Sequence, residues 1–169
     1  PFRSRFGVNY RLDFYNQENI EEIIERSAKI LNIDLGKETK IVLAKASRYT
    51  PRIANKLLKR SRDLAQVRGI KTISPEIVKE TLEMLDIDEL GLESTDRKIL
   101  QLIINNFHGG PVGIKTIAAS LAEEEETIED VFEPYLMQIG FLTRTSKGRI
   151  ATKQAFEHLK IKQERSLNI

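Results

Sequence analysis

EETIEDVFEPYLMQIGFLTRTSKGRIAT, residues 125–152, changes its period halfway along. Up to Gly140 the apolar residues Ile128, Val131, Phe132, Tyr135 and Ile139 recur three or four apart. That spacing predicts one buried stripe on a helix that begins near Glu126. Pro134 lies inside this helix and lacks the N–H that the ladder needs, which predicts a bend. Beyond Gly140, Phe141-Leu142-Thr143-Arg144-Thr145 and Arg149-Ile150-Ala151-Thr152 flank Ser146-Lys147-Gly148. Two short β-prone runs around a turn containing Gly predict a β-hairpin.

Outward from this stretch the neighbours fall into order. Before it, Ser94 or Thr95 caps a helix with Ile99, Leu102, Ile103 and Phe107 on one face. Gly109-Gly110-Pro111 stops that helix, and a short one follows over about 115–122. After the hairpin, a last helix runs from about Lys153 to Lys160. Helix, short strand, helix, helix, hairpin is the order of a winged-helix domain, a relative of the helix-turn-helix.

The first half reads as a separate bundle. Val8, Tyr10, Leu12 and Phe14 alternate with polar residues, a strand pattern at 1–15. A helix follows, capped by Asn16 or Asn19, with Ile20, Ile23, Ile24, Ser27, Ala28 and Leu31 as its stripe. A shorter helix covers 38–46. Thr50-Pro51 and Ser74-Pro75 open two more, with the hydroxyl residue capping and Pro in the first turn. These run to about Val67 and Asp86. Four helices with short connections make one small bundle, and the acidic DIDELGLE at 86–93 reads as a linker.

Composition narrows the function. The chain has 169 residues, 40% of them hydrophobic and 31% charged, which suits a globular protein. No apolar run reaches the length of about 20 that a membrane span needs. Cysteine is absent, which excludes disulfides and thiolate metal sites. The opening Pro1, in place of Met, predicts a piece of a longer protein. The net charge of +2 is unevenly spread. Residues 1–75 hold 16 Lys or Arg against 8 Asp or Glu, residues 76–140 hold 4 against 15, and residues 141–169 hold 7 against 2. Two basic ends around an acidic middle predict separate partners for separate parts.

Enzyme chemistry finds little support in the residues. GGPVGIKT at 109–116 has the outline of a phosphate loop, but Ile114 stands where Gly must precede the Lys. His108 and His158 lie fifty residues apart with no acidic neighbours at ligand spacing, and Glu123–Glu126 reads as a solvated charge run. No metal site is expected. The basic hairpin is more informative. Arg144, Lys147 and Arg149 lie on or beside the wing, where guanidinium forks can meet phosphate. The helix that reads bases in many winged-helix proteins is acidic here, with Glu126, Glu129, Asp130 and Glu133. DNA contact therefore falls to the wing, through the backbone and without sequence readout. Arg52, directly after Pro51, places a cation at a helix N-terminus, where the dipole disfavours it unless an anion sits beside it.

SRYTPRIANKLLKRSRDLAQV (47–67), DRKILQLIINNFHGGPVG (96–113), residues 125–152 and the opening PFRSRFG resemble the RuvB family. These are bacterial AAA+ motors that drive branch migration of Holliday junctions. The resemblance covers residues 1–160 and implies the end of the large ATPase domain, the helical lid and the C-terminal winged helix. It implies that Arg5 is an arginine finger acting on the neighbouring subunit's nucleotide. It likewise implies that Arg52 is the sensor-2 arginine and that Tyr15 borders the nucleotide at the entry to the lid. Arg144 and Arg149, with Lys147 beside them, match the DNA-contacting wing. Three departures are visible: Tyr49 where Gly is usual before T-P-R, Ser146-Lys147 where the wing usually has Pro-Arg, and Phe2 and Ser4 where Leu and Asp are usual.

The expected fold is mainly α: a four-helix AAA+ lid bundle followed by a winged-helix domain with a small β-hairpin wing. Residues 1–15 are the remnant of the ATPase domain, 16–86 the lid, 87–93 a linker, 94–160 the winged helix and 161–169 a tail. The resemblance implies ATP with Mg in the parent motor, none bound tightly by this chain alone, and inactivity of the chain alone. It also implies a homohexameric ring, double-stranded DNA or a Holliday junction as substrate, the RuvA and RuvC proteins as partners, and a bacterial cytoplasm. Two other classes share parts of this pattern: a non-enzymatic winged-helix regulator, and a clamp-loader or origin-recognition subunit with a lid of this layout.

Overall fold

The computed structural model describes residues 15–161, which form two compact units divided between Gly91 and Leu92. Arg5, the strand expected before Tyr15 and nearly all of the tail lie outside the described residues.

The first unit is built on four helices: α1 (Gln17–Ile30), α2 (Lys37–Ala46), α3 (Pro51–Val67) and α4 (Pro75–Met84). Asn16 caps α1 by accepting the Asn19 N–H at 2.8 Å. Ile20, Ile24 and Ala28 turn inward from α1, as its stripe predicts, to meet Leu43 of α2, Leu57 and Leu58 of α3 and Val78 and Leu82 of α4. Each fully buried side chain of this kind contributes about 1.5–3 kcal/mol of transfer free energy. Charges clamp the outside. Glu25 pairs with Lys29 at 3.0 Å and with Lys40 of α2 at 2.9 Å, and Arg68 pairs with Glu80 of α4.

Two details depart from expectation. A parallel pair of two-residue strands, β1 (Asp34–Leu35) and β2 (Thr72–Ile73), joins the α1–α2 and α3–α4 connections. Strands this short show no alternation to read, and the buried Thr39 hydroxyl secures them by donating to the Ile73 carbonyl at 3.1 Å. Thr50 occupies the N-cap of α3 without capping it by its side chain. Arg48 and Tyr49 are both left-handed, at φ 53° and 51°, and the Thr50 hydroxyl donates back to the Arg48 carbonyl at 3.1 Å. Left-handed backbone explains why Gly is at home at the place of Tyr49.

The second unit begins with α5 (Ser94–Phe107). Its cap is Glu93, with Asp96 accepting the Glu93 N–H at 2.9 Å to complete a capping box. Ser94 and Thr95, expected as caps, fall one and two residues inside because the carboxylate three residues on selects Glu93. Ile99, Leu100, Ile103 and Ile104 are buried. Gly109 and Gly110 then carry the chain into Val112, which bridges Arg149, and on to α6 (Ile114–Leu121).

The third helix is interrupted. After α7 (Glu125–Thr127), residues Ile128–Phe132 form a π-helical turn, and α8 (Glu133–Gln138) resumes. The Glu133 N–H donates to the Ile128 carbonyl, five residues back. Pro134, directly after, has no N–H to contribute, and a wider turn accommodates it. One extra residue in a turn rotates all that follows by about 100°. That rotation corrects the expected stripe: Val131 is 55% exposed, while Glu133 and Leu136 turn inward. The hairpin follows as β3 (Leu142–Thr145) and β4 (Gly148–Ala151), with Arg144 opposite Arg149 and only Ser146-Lys147 in the loop. The last helix, α9 (Lys153–His158), is capped by Thr152.

Candidate nucleic-acid interface

Antiparallel register puts Arg144 and Arg149 directly across from each other on the hairpin. Two like charges at that spacing repel and would splay the wing. The third helix supplies the counter-charge. Arg144 Nη2 donates to Glu129 Oε1 at 3.1 Å, and Arg149 Nη2 donates to the same oxygen at 2.6 Å. Arg149 also grips Glu133, with Nε at 3.2 Å and Nη2 at 2.9 Å from Oε2. The other oxygen of Glu133 lies 3.9 Å from Arg144 Nη1 and is buried without a hydrogen bond. Two guanidinium groups thus face two carboxylates.

The four members differ in exposure. The side chains of Arg149 and Glu133 are 8% and 4% exposed; those of Arg144 and Glu129 are 56% and 36% exposed. Burial opposes the charge of Arg149. The hydrogen bonds and charges of Glu133 and Glu129 more than offset it, so the guanidinium pKa is raised. Lys147 stands at the tip of the loop, exposed and without an ion-pair partner among the described residues.

The three expected wing cations therefore divide. Arg144 and Lys147 face solvent, whereas Arg149 packs inward against the helix. The acidic helix is not uniformly a repelling face either. Glu129 and Glu133 bond to the wing, and Glu126 and Asp130 remain outside. The sequence reading missed these wing partners. A signal was present in the hairpin spacing, because arginines opposed across a two-residue loop require an anion between them.

The first unit holds the other candidates. Arg52 lies exposed in the first turn of α3, which carries no acidic residue, and has no ion-pair partner among the described residues. A free guanidinium beside helix N–H groups suits a phosphate oxygen. Tyr15 is half exposed just before α1. The resemblance to a phosphate loop at 109–116 dissolves in the structure. An added Cβ on Gly110 would lie 2.4 Å from the Arg149 carbonyl, and Gly109 faces the Phe156 ring, so these glycines make room for packing. Among the described residues no three His, Asp or Glu are grouped to hold a metal ion, and no helix is long and apolar enough to cross a membrane.

Comparison with known proteins covers both units. Residues 15–88 match the family model described as the RuvB AAA lid domain, and residues 89–160 match the RuvB C-terminal winged helix domain. The Holliday junction branch migration complex subunit RuvB of Chlorobaculum tepidum is 51% identical over 170 residues, which cover 99% of this chain and 49% of that protein. A solved structure of the Thermotoga maritima RuvB Holliday junction branch migration motor matches at a TM-score of 0.90 and 47% identity. The match covers 95% of this chain and 54% of the other. A singly substituted form of the same motor gives a TM-score of 0.91. The chain spans about half the length of the relatives it matches.

Proposed function

The chain belongs to the RuvB family, and from that premise we propose that it is the C-terminal half of an ATP-driven motor for Holliday junction branch migration. The observation that carries the reading is that both units match the lid and winged helix of this family in order and without a gap. In the parent, the nucleotide and Mg belong chiefly to an ATPase domain outside the matched region. Arg52 would touch phosphate from the lid, Tyr15 would border the nucleotide, and Arg5 would reach the nucleotide of the next subunit in a hexameric ring. The lid would turn the nucleotide state into movement of the winged helix on duplex DNA, in concert with RuvA and RuvC in the bacterial cytoplasm. This chain alone is inactive as an ATPase.

The wing makes the DNA contact through Arg144 and Lys147, both exposed on one hairpin. Phosphate contacts carry no sequence information, so duplexes of unrelated sequence bind equally. Fluorescence-anisotropy titrations across a salt series test this. Removing both cations by Arg144→Ala with Lys147→Ala flattens the slope of log affinity against log salt by about two and weakens every duplex alike. Loss of affinity for one sequence alone would favour a regulator that reads an operator.

A further inference from the structure

Glu129 Oε1 accepts from Arg144 at 3.1 Å and from Arg149 at 2.6 Å. One anionic oxygen held between two guanidinium forks is the arrangement a DNA phosphate oxygen would adopt on the same hairpin. We infer that Glu129 is a built-in phosphate mimic: it occupies the wing's anion position in the free domain and must give way for Arg144 to engage DNA. The inference rests on the wing being the DNA contact.

The two carboxylates do different things. Glu133 is 4% exposed and grips Arg149 twice, which makes it a fixed anchor. Glu129 is 36% exposed and sits at the edge of the cluster. Its loss of contact costs less than that of Glu133, since a carboxylate about one-third exposed is readily rehydrated and Arg149 keeps its two bonds to Glu133. With both carboxylates in place the cluster carries no net charge, so an approaching phosphate meets no attraction from it. With Glu129 displaced, one positive charge is uncovered, and it lies at Arg144, the exposed arginine. Glu129 is thus a positioning residue. It neutralises the opposed arginines while the wing is free, and it sets a threshold that only a closely held phosphate passes. Non-specific affinity is lowered, and the wing is kept from adhering to any polyanion.

The test compares Glu129→Gln, Glu133→Gln, Arg144→Ala and the unaltered 169-residue chain against one duplex over a salt series. Glutamine keeps the shape of Glu129 and removes its charge. The expected result is a two- to five-fold tighter affinity for Glu129→Gln at low salt, the range of an exposed ion pair. Its salt slope should match that of the unaltered chain, because Arg144 meets one phosphate in either case and only the cost of displacing Glu129 is removed. Combining Glu129→Gln with Arg144→Ala abolishes the gain, which a merely structural role for Glu129 would not require. Glu133→Gln lowers the melting temperature and does not tighten binding. If Glu129→Gln binds no tighter while Arg144→Ala still weakens binding, the mimic is overturned and the wing contact stands. If Arg144→Ala binds as well as the unaltered chain, the wing contact itself is wrong and the mimic falls with it.

Discussion

Arg149 aims two donors, Nε at 3.2 Å and Nη2 at 2.9 Å, at a single oxygen of Glu133, and neither side chain is more than 8% exposed. The pair joins the loop end of β4 to the start of α8. It exists because the π-turn before Pro134 rotates Glu133 out of the solvent face and toward β4.

Breaking this pair leaves a charge buried without its partner. Arg149→Ala is expected to destabilise the second unit by about 3 kcal/mol, and Glu133→Leu by a similar amount. Exchanging both for apolar residues of similar volume, Arg149→Met with Glu133→Leu, should restore most of the loss, because desolvation then no longer opposes burial. Urea unfolding followed by circular dichroism measures all three. A single variant with an unchanged midpoint would show that the pair contributes nothing net.

Acid should loosen the first unit in a defined window. The hydrogen bonds and charges of Lys40 and Lys29 hold the Glu25 carboxyl down to a pKa of about 2. A depressed carboxyl stabilises the fold above its unfolded value of 4.5 and loses that contribution as pH falls toward 2. Stability should therefore be independent of Glu25 protonation at neutral pH and decline between pH 4.5 and 2. Glu25→Gln should flatten that part of the profile and leave the lid folded. Thermal melts at half-unit pH steps would record it, and an unchanged acid limb in the variant would refute it.

Arg52 offers a prediction in the full-length motor. It is exposed and carries no partner among the described residues, so its loss should leave lid folding alone. Arg52→Ala should cut ATP turnover about 100-fold, the scale of one lost charge-stabilising donor, with a melting temperature within about one degree of the parent. Phosphate-release assays on the purified motor decide it. Normal turnover would make Arg52 an ordinary surface residue.

The helices were legible because their signals are local. Thr50-Pro51 and Ser74-Pro75 mark real starts, and the stripe Ile20, Ile24, Ala28 is buried as its spacing requires. The hairpin was equally plain, with Gly148 at positive φ where the strand resumes. What escaped depends on neighbours distant in sequence. The β1–β2 pair joins residues 38 apart and consists of two residues on each side. The π-turn follows from Pro134, but its consequence, Val131 outside and Glu133 inside, emerges only once the phase is reset. For the wing, sequence counted three cations on one hairpin; packing turned Arg149 inward and brought Glu129 between it and Arg144.

Gly148 has a consequence of a mechanical kind. A side chain there would collide with Val112, since an added Cβ would lie 2.5 Å from the Val112 carbonyl oxygen. Its absence lets β4 be gripped on both edges, by β3 on one side and by Val112 on the other, with N–H···O bonds of 2.9 and 2.8 Å between Val112 and Arg149. Below this, the Ala151 N–H ties the strand to the Gly109 carbonyl at 2.9 Å, at the end of α5. A hairpin fastened on one edge bends like a reed, whereas one fastened on both is a stiff arm. Force applied at the Ser146-Lys147 tip along the strands then loads several hydrogen bonds in shear at once, and passes into the base of the helix. An arm of this kind passes a load at its tip into the body of the second unit with little lost to flexing.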